Sequence, residues 1–119
     1  MLIAVQREVY EAGLQMIKPG VSFGALQDFV NGFRAIGGVQ TLLQLHGCGY
    51  GGDGPLFSAK THGTRARELT IQKNNALVWK PMALSSDGKS QFTFGGPLIV
   101  TDNGCESLFN REHGMVSLV

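Results

Sequence analysis

The 119-residue sequence lacks the features that mark disulfide-rich, membrane-spanning and secreted proteins. Its two cysteines, Cys48 and Cys105, form no Cys-x-x-Cys unit, so reduced thiols in a cytoplasmic protein are the simplest interpretation. No apolar run approaches the roughly 20 residues of a membrane span. The first residues also lack the charged start and long apolar segment of a secretory signal. We therefore expect a cytoplasmic protein that does not bind membranes.

The chain also has no marked excess of positive or negative charge. Ten basic and nine acidic residues give a formal net charge of +1, and the basic residues are scattered along the chain. This pattern argues against a nucleic-acid partner. A hydrophobic content of 43% with 16% charged residues indicates a folded globular chain, and the length suits one domain.

Apolar residues at helical spacing predict two helices in the first third of the chain. The first runs from Leu2 to Met16 and ends at Lys18-Pro19-Gly20, because proline disfavours helical geometry in the residue before it. Ser22 is a good N-cap for the second helix, which we expect to end at Gly37-Gly38. We assign the apolar faces of both helices to the core.

The rest of the chain predicts antiparallel strands. Turn signals at Asn74-Asn75, Asp87-Gly88 and Asp102-Asn103-Gly104 separate apolar segments, and residues 56–75 are polar, so we expect them to be irregular. Two helices followed by a mostly antiparallel sheet make an α+β fold. The predicted strands are Val39–Leu45, Ala76–Leu84, Gln91–Phe94, Pro97–Thr101 and Cys105–Phe109.

Glycine is concentrated in one stretch, His46–Pro55, directly after the predicted strand Val39–Leu45. Five glycines fall within eight positions there, and such a backbone can reach φ > 0 and come close to a ligand. A strand that ends in a histidine before this loop would present an imidazole at a defined place. A surface turn without a function is the plain alternative. Gly47-x-Gly49-x-x-Gly52 also fits a dinucleotide fingerprint, but Asp53-Gly54-Pro55 does not begin the helix that this fingerprint requires.

His46-Gly47-x-Gly49 and a short loop closing on Pro55 resemble the H-G-x-G…H-E-x-P segment of the pita-bread metallopeptidases. This family includes methionine aminopeptidase, prolidase, Xaa-Pro aminopeptidase and creatinase. Three other segments resemble the family in the same order, and they are Ala12–Gly20 with Val21-Ser22-Phe23, Val78-Trp79-Lys80-Pro81, and Gly96–Glu106. The resemblance implies that residues 1–119 form one partial pita-bread domain, the C-terminal portion of the fold, with two helices packed on a curved, mostly antiparallel sheet.

The resemblance also implies a site in which two Asp, one His and two Glu side chains bind two divalent metals bridged by a water. His46 matches the histidine ligand, whereas Lys80 stands at the first Glu position and Gly95 at the second. No Asp precedes Asp28, so no residue matches the two Asp ligands, which the family carries on a hairpin before the first helix. With one ligand of five present, we expect no cofactor, and a divalent metal pair (Mn, Co, Zn or Fe) would need ligands supplied elsewhere.

The candidate catalytic residues are His46, Asp53 and Lys80, and His46 is the single candidate metal ligand. Asp53 stands where the family often has a second histidine that contacts substrate, so we expect all three side chains in one cleft. Either Lys80 and Asp53 form an ion pair in the place of the metals, or partial burial makes the Lys80 amine chemically useful. Glu68 is the other carboxylate that could approach His46.

The leading hypothesis from the sequence is a divergent or truncated Xaa-Pro-peptidase-like protein that is inactive as an isolated chain. Two alternatives stay open: a non-catalytic binding or assembly module, and a metal-independent hydrolase built on Lys80, Asp53 and His46. A peptide or a small molecule is the expected ligand. Because the chain would lack the family's N-terminal hairpin, one sheet edge would be bare, and we expect a homo-oligomer or an N-terminal partner segment to cover it.

Overall fold

The computed structural model describes residues 1–33, 36–47, 56–58 and 64–108. These residues contain three α-helices, α1 (Leu2–Met16), α2 (Phe23–Asn31) and α3 (Thr64–Glu68), and a 3₁₀ turn at Ile36–Gly38. The strands are β1 (Gln40–Leu42), β2 (Gln44–Gly47), β3 (Leu56–Ser58), β4 (Ala76–Trp79), β5 (Met82–Leu84), β6 (Gln91–Thr93), β7 (Gly96–Val100) and β8 (Cys105–Ser107). No helix in these ranges is long and apolar enough to cross a lipid bilayer.

The strands form two antiparallel sheets that follow one curved surface. One sheet has the order β1-β5-β6 and the other the order β3-β2-β4-β7-β8. The register of β1 on β5 continues unchanged into that of β2 on β4, and the register of β5 on β6 continues into that of β4 on β7. Three chain segments therefore run through both sheets. The predicted α+β fold with helices on a curved antiparallel sheet is confirmed.

The helices cover one face of the curved sheet, and Trp79 is the centre of that contact. Leu77 and Trp79 are buried while Val78 between them is half exposed, as expected when alternate residues of a strand face opposite sides. The Trp79 ring is fully buried, and its Nε1–H donates to the Tyr10 carbonyl at 3.1 Å. A Cβ at Gly13 would overlap the Trp79 ring, so glycine allows α1 to approach the sheet this closely.

The predicted strands Val39–Leu45 and Ala76–Leu84 are each interrupted. The first divides at Leu43, the second divides at Lys80-Pro81, and the segment paired with the second divides at Phe94-Gly95. Proline has no N–H to donate, so the ladder cannot continue through Lys80-Pro81. The three interruptions lie at one level of the continuous register, and we refer to this level as the bend.

Two boundary predictions are wrong. The second helix ends at Asn31 with Gly32 as its C-cap, whereas Gly37 and Gly38 take φ values of 74° and 72° in the turn that follows. Residues 56–75, expected to be irregular, contain β3 and α3. The short polar segment 64–68 has no apolar periodicity to reveal its helix, and this helix packs beside α2.

The local turn chemistry agrees with the sequence. Ser22 Oγ accepts a hydrogen bond from the Ala25 N–H at 3.1 Å, as an N-cap does. Asn74 and Gly88 take left-handed φ values of 70° and 71° at two of the predicted turns. In the third, the Thr101 N–H donates to the Gly104 carbonyl at 2.9 Å. These predictions are confirmed.

Candidate functional site

His46 and Lys80 lie on neighbouring segments of the sheet. β2 pairs with β4 so that His46 is opposite Val78. The Lys80 N–H extends this pairing by donating to the Gln44 carbonyl at 3.2 Å. Lys80 is therefore two residues along from the partner of His46, a diagonal relation in which the two residues are about 7–8 Å apart.

Both side chains project from the face that the helices do not cover. Leu45 and Trp79 are buried against the helices and alternate along the strands with His46 and Lys80, which are half-buried. The structure thus brings His46 and Lys80 to one face at the bend. Asp53, the third candidate catalytic residue, lies outside the described residues. Its ion pair with Lys80 and the catalytic roles of all three stay predictions.

Gly95 adjoins Lys80 on the other side. β4 pairs with β7 so that Trp79 is opposite Gly96, and the same register sets Gly95 opposite Lys80. A Cβ on Gly95 would overlap the Trp79 carbonyl oxygen and would lie 2.8 Å from Lys80 Cα. Heavy atoms in proteins essentially never approach a Cβ to less than 3.0 Å. The position that the resemblance assigns to the second Glu ligand thus lacks both a side chain and the space for one.

Charged and titratable groups define what this face presents. Two salt bridges join described residues, Arg67 with Asp28 and Lys73 with Asp102, and Lys80 takes part in neither. His46 Nδ1 lies 2.8 Å from the carbonyl oxygen of the next residue. Because a carbonyl only accepts, Nδ1 is the donor in this contact, and Nε2 is then the acceptor whenever the ring is neutral. The described part of the site therefore offers an ammonium and an imidazole.

These residues do not fit a dinuclear metal site. Within the described ranges, no group of three or more His, Cys, Asp and Glu side chains is close enough to bind a metal ion. The Lys80 ammonium would repel divalent cations, and Gly95 cannot supply a carboxylate. A pair of divalent metals needs several anionic oxygen ligands to offset its charge, and the described residues bring no such group of carboxylates together here.

Two polar helix side chains bond the backbone at the bend, and sequence reasoning missed both. Gln6 Nε2 donates to the Pro81 carbonyl and to the Phe94 carbonyl, each at 2.7 Å. Asn31 Oδ1 accepts from the Leu43 N–H at 3.2 Å. The available signal was the place of Gln6 on the apolar face of α1, because a polar side chain buried there needs a partner.

An open groove beside α2 and α3 is a second concave feature, separate from this site. Arg67 makes a bidentate contact with Asp28, with N–O distances of 3.0 and 2.7 Å, and also donates to Gln27 Oε1 at 2.8 Å. The Arg67 hydrogen bond lowers the pKa of the Asp28 carboxyl. Glu68 lines this groove, although the sequence suggested that it could approach His46. The Arg67 guanidinium and the Asp28 carboxylate therefore already pair with each other in this groove.

Comparison with known proteins identifies the fold. No protein-family model matches the sequence, and no curated protein sequence matches it. The structure is similar to the crystal structure of a methionine aminopeptidase from Thermotoga maritima, with a TM-score of 0.64 and 23% sequence identity, over 88% of this chain. The chain adopts part of the pita-bread fold. It spans about half of that aminopeptidase, 49% of its chain, and the pita-bread prediction from the four sequence segments is confirmed for the fold.

Proposed function

We propose that this chain is a divergent Xaa-Pro-peptidase-like protein that lacks the dinuclear metal centre and does not hydrolyse peptides as an isolated chain. The motifs around His46 and Lys80 support the relation to Xaa-Pro peptidases, and the pita-bread fold is compatible with it. The observation that carries the proposal is the pairing of Lys80 with Gly95, where the resemblance expects two carboxylates.

Electrostatics favours a metal-free role for this face. Two unit charges 4 Å apart interact by about 4 kcal/mol at the effective dielectric of a protein surface, and a divalent ion doubles this repulsion from an ammonium. A carboxylate at position 80 would attract a divalent metal ion, whereas the Lys80 ammonium repels it. His46 alone offers a single metal ligand, which is too weak to offset this repulsion.

A ligand for such a face is an anionic or polar molecule, and a peptide carboxylate meets this description. Lys80 can donate three hydrogen bonds as a point charge, and His46 Nε2 can accept one. We therefore propose that the protein binds a peptide or small molecule without cleaving it, and that it acts as a binding module.

A metal-independent hydrolase is the second candidate, because His46 and Lys80 share one face at diagonal positions. In that case the imidazole would act as a general base, and the Lys80 ammonium would stabilise a developing oxyanion. The predicted contribution of Asp53 would belong to the same mechanism.

Peptidase assays on the purified chain separate these possibilities. Peptides with N-terminal Met and peptides with a Xaa-Pro bond are incubated with the protein, with and without added Mn²⁺ or Co²⁺. We expect no turnover in either condition. Metal-dependent turnover would contradict the proposal. Metal-independent turnover that is lost in both Lys80→Met and His46→Gln would instead establish the hydrolase.

A further inference from the structure

Gln6 is a fully buried amide on the helix side of the sheet. Its side chain is 0% exposed and sits in the apolar face of α1 with Val5 and Val9. Burying an unpaired polar group is unfavourable, so an amide is retained at such a place where it is hydrogen-bonded.

The two donated bonds of Gln6 join separate chain segments. One accepting carbonyl belongs to Pro81, the residue after Lys80, and the other belongs to Phe94, the residue before Gly95. The Pro81 carbonyl lies between β4 and β5, and the Phe94 carbonyl lies between β6 and β7. An amide has two N–H donors, so the Gln6 side chain uses both at the bend.

We infer that Gln6 is a positioning residue for the site proposed above: its amide fixes the bend, and thereby fixes where the Lys80 ammonium stands relative to His46 and Gly95. The inference rests on the proposed site but not on its ligand. These two bonds reach the backbone on either side of the site, at Pro81 and Phe94, and not the side chain of Lys80 or His46. Removal of the amide would release two carbonyls and let the bend relax, and Lys80 would move with it.

The competing explanation is that the Gln6 hydrogen bonds only stabilise the fold and do not position Lys80. A second buried hydrogen bond provides a matched control. Thr41 Oγ1 donates to the Val30 carbonyl at 2.6 Å, and Thr41 is 2% exposed. Thr41 lies on β1 and its bond joins a strand to α2, away from Lys80 along the sheet. Thr41→Val and Gln6→Met each replace a buried donor by an apolar group of similar size.

The first experiment measures hydrogen exchange of side-chain amides in the unmodified protein by NMR. We expect both Gln6 Nε2–H protons to exchange at least about tenfold more slowly than those of Gln15, an exposed residue of the same helix. Exchange of either Gln6 proton at the Gln15 rate would overturn the inference, and this result needs no variant to fold.

The second experiment measures the rate of Lys80 acylation by a trace amine reagent, relative to the exposed Lys73 and Lys89. We expect Gln6→Met to change the Lys80 rate about threefold or more, whereas Thr41→Val leaves it unchanged at a comparable loss of stability. Equal effects of the two variants, or no effect of Gln6→Met, would overturn the inference. Because neither experiment uses a metal or a substrate, failure of the proposed function leaves both readouts intact.

Discussion

Gly95 stands across the sheet from Lys80, and the backbone at Trp79 and Lys80 fills the space where a Gly95 side chain would begin. The site therefore differs from a dinuclear centre in two ways, a reversed charge and a closed position. Restoring a carboxylate would require movement of two paired segments in addition to a substitution. Both differences support the proposal that the face at the bend binds its ligand without metals.

The closed position makes Gly95→Ala a sharp test. A methyl group there must displace the Trp79 carbonyl, and we expect the free energy of unfolding to fall by about 1–3 kcal/mol, as for other overpacked sites. Gly104→Ala is the control, because the nearest atom to its Cβ is Thr101 Oγ1 at 3.9 Å. This control is expected to change stability by less than about 0.5 kcal/mol in urea unfolding. Equal stabilities of the two variants would show that Gly95 has room.

The contact of α1 with Trp79 predicts a substitution in which packing outweighs helix propensity. Alanine is better than glycine inside a helix by about 1 kcal/mol, but the new Cβ in Gly13→Ala would overlap the Trp79 ring. We expect a net loss of about 1–3 kcal/mol in the free energy of unfolding. In a double-mutant cycle with Trp79→Phe, the combined loss should be smaller than the sum of the single losses. Additive losses in the free energy of unfolding would mean that the new Cβ at position 13 does not clash with the ring at position 79.

We expect the variant Gln6→Glu to lose stability as the pH rises, which is opposite in sign to ordinary acid unfolding. Burial against two carbonyls would raise the folded-state pKa of the introduced carboxyl above the unfolded value of about 4.3. The penalty is then fully present above the raised pKa and disappears as the pH falls below about 4.3, where the carboxyl is protonated in both states.

Urea unfolding of Gln6→Glu and of the unmodified protein near pH 7 and near pH 4.5 measures this effect. We expect a gap in the free energy of unfolding of about 3–5 kcal/mol near neutrality, which narrows on acidification. A variant that is unfolded at neutrality and refolds in acid gives the same outcome. A gap that is independent of pH would contradict the buried, donating role of Gln6.

The sequence predicts local structure at this bend less well than elsewhere, and the reason is physical. Ser22, Asn74 and Gly88 were predictable because a cap or a turn depends on the residue itself and its immediate neighbours. The break at Leu43 has no such signal, since it follows from the pairing of its segment with Lys80-Pro81 and from the Asn31 side chain. Long-range pairing of this kind is not encoded in any short stretch.

The site was predictable only as far as the family resemblance reached. Motif matching led to His46 and Lys80, and the register shows them on one face. Gln6 lies in no motif, and its importance depends on two carbonyls, at Pro81 and Phe94, that are far from it in sequence. Polar residues on apolar helix faces should therefore carry as much weight in such predictions as the motifs themselves.

Cys105 is predicted to be a slow thiol. It is half-buried, its Sγ donates to the Leu14 carbonyl at 3.4 Å, and burial raises the pKa of the thiol. Since the thiolate is the reactive form, Cys105 in a Cys48→Ser variant should react with a disulfide reagent about tenfold more slowly than free cysteine near pH 7.5. The difference should vanish in urea. A rate at or above that of free cysteine in the folded variant would rule out this environment.

Association is expected from the sheet edges. In the described ranges, β3 and β8 are the outer strands of the five-stranded sheet, and the chain spans about half of the structurally similar aminopeptidase. Bare strand edges are rarely left uncovered in proteins. We predict that the chain forms a homo-oligomer or binds a partner that supplies an N-terminal segment, and light scattering at micromolar concentration tests the first. A stable monomer that binds no dye specific for exposed apolar surface would argue against both.

Metal stoichiometry tests the central claim most directly. The purified chain is equilibrated with Mn²⁺, Co²⁺, Zn²⁺ or Fe²⁺, dialysed, and analysed for metal content, with the same titrations followed by calorimetry. The pairing of Lys80 with Gly95 predicts no stoichiometric metal and no saturable heat of binding at micromolar concentration. About two metals per chain, as a bridged dinuclear site would bind, would contradict the account.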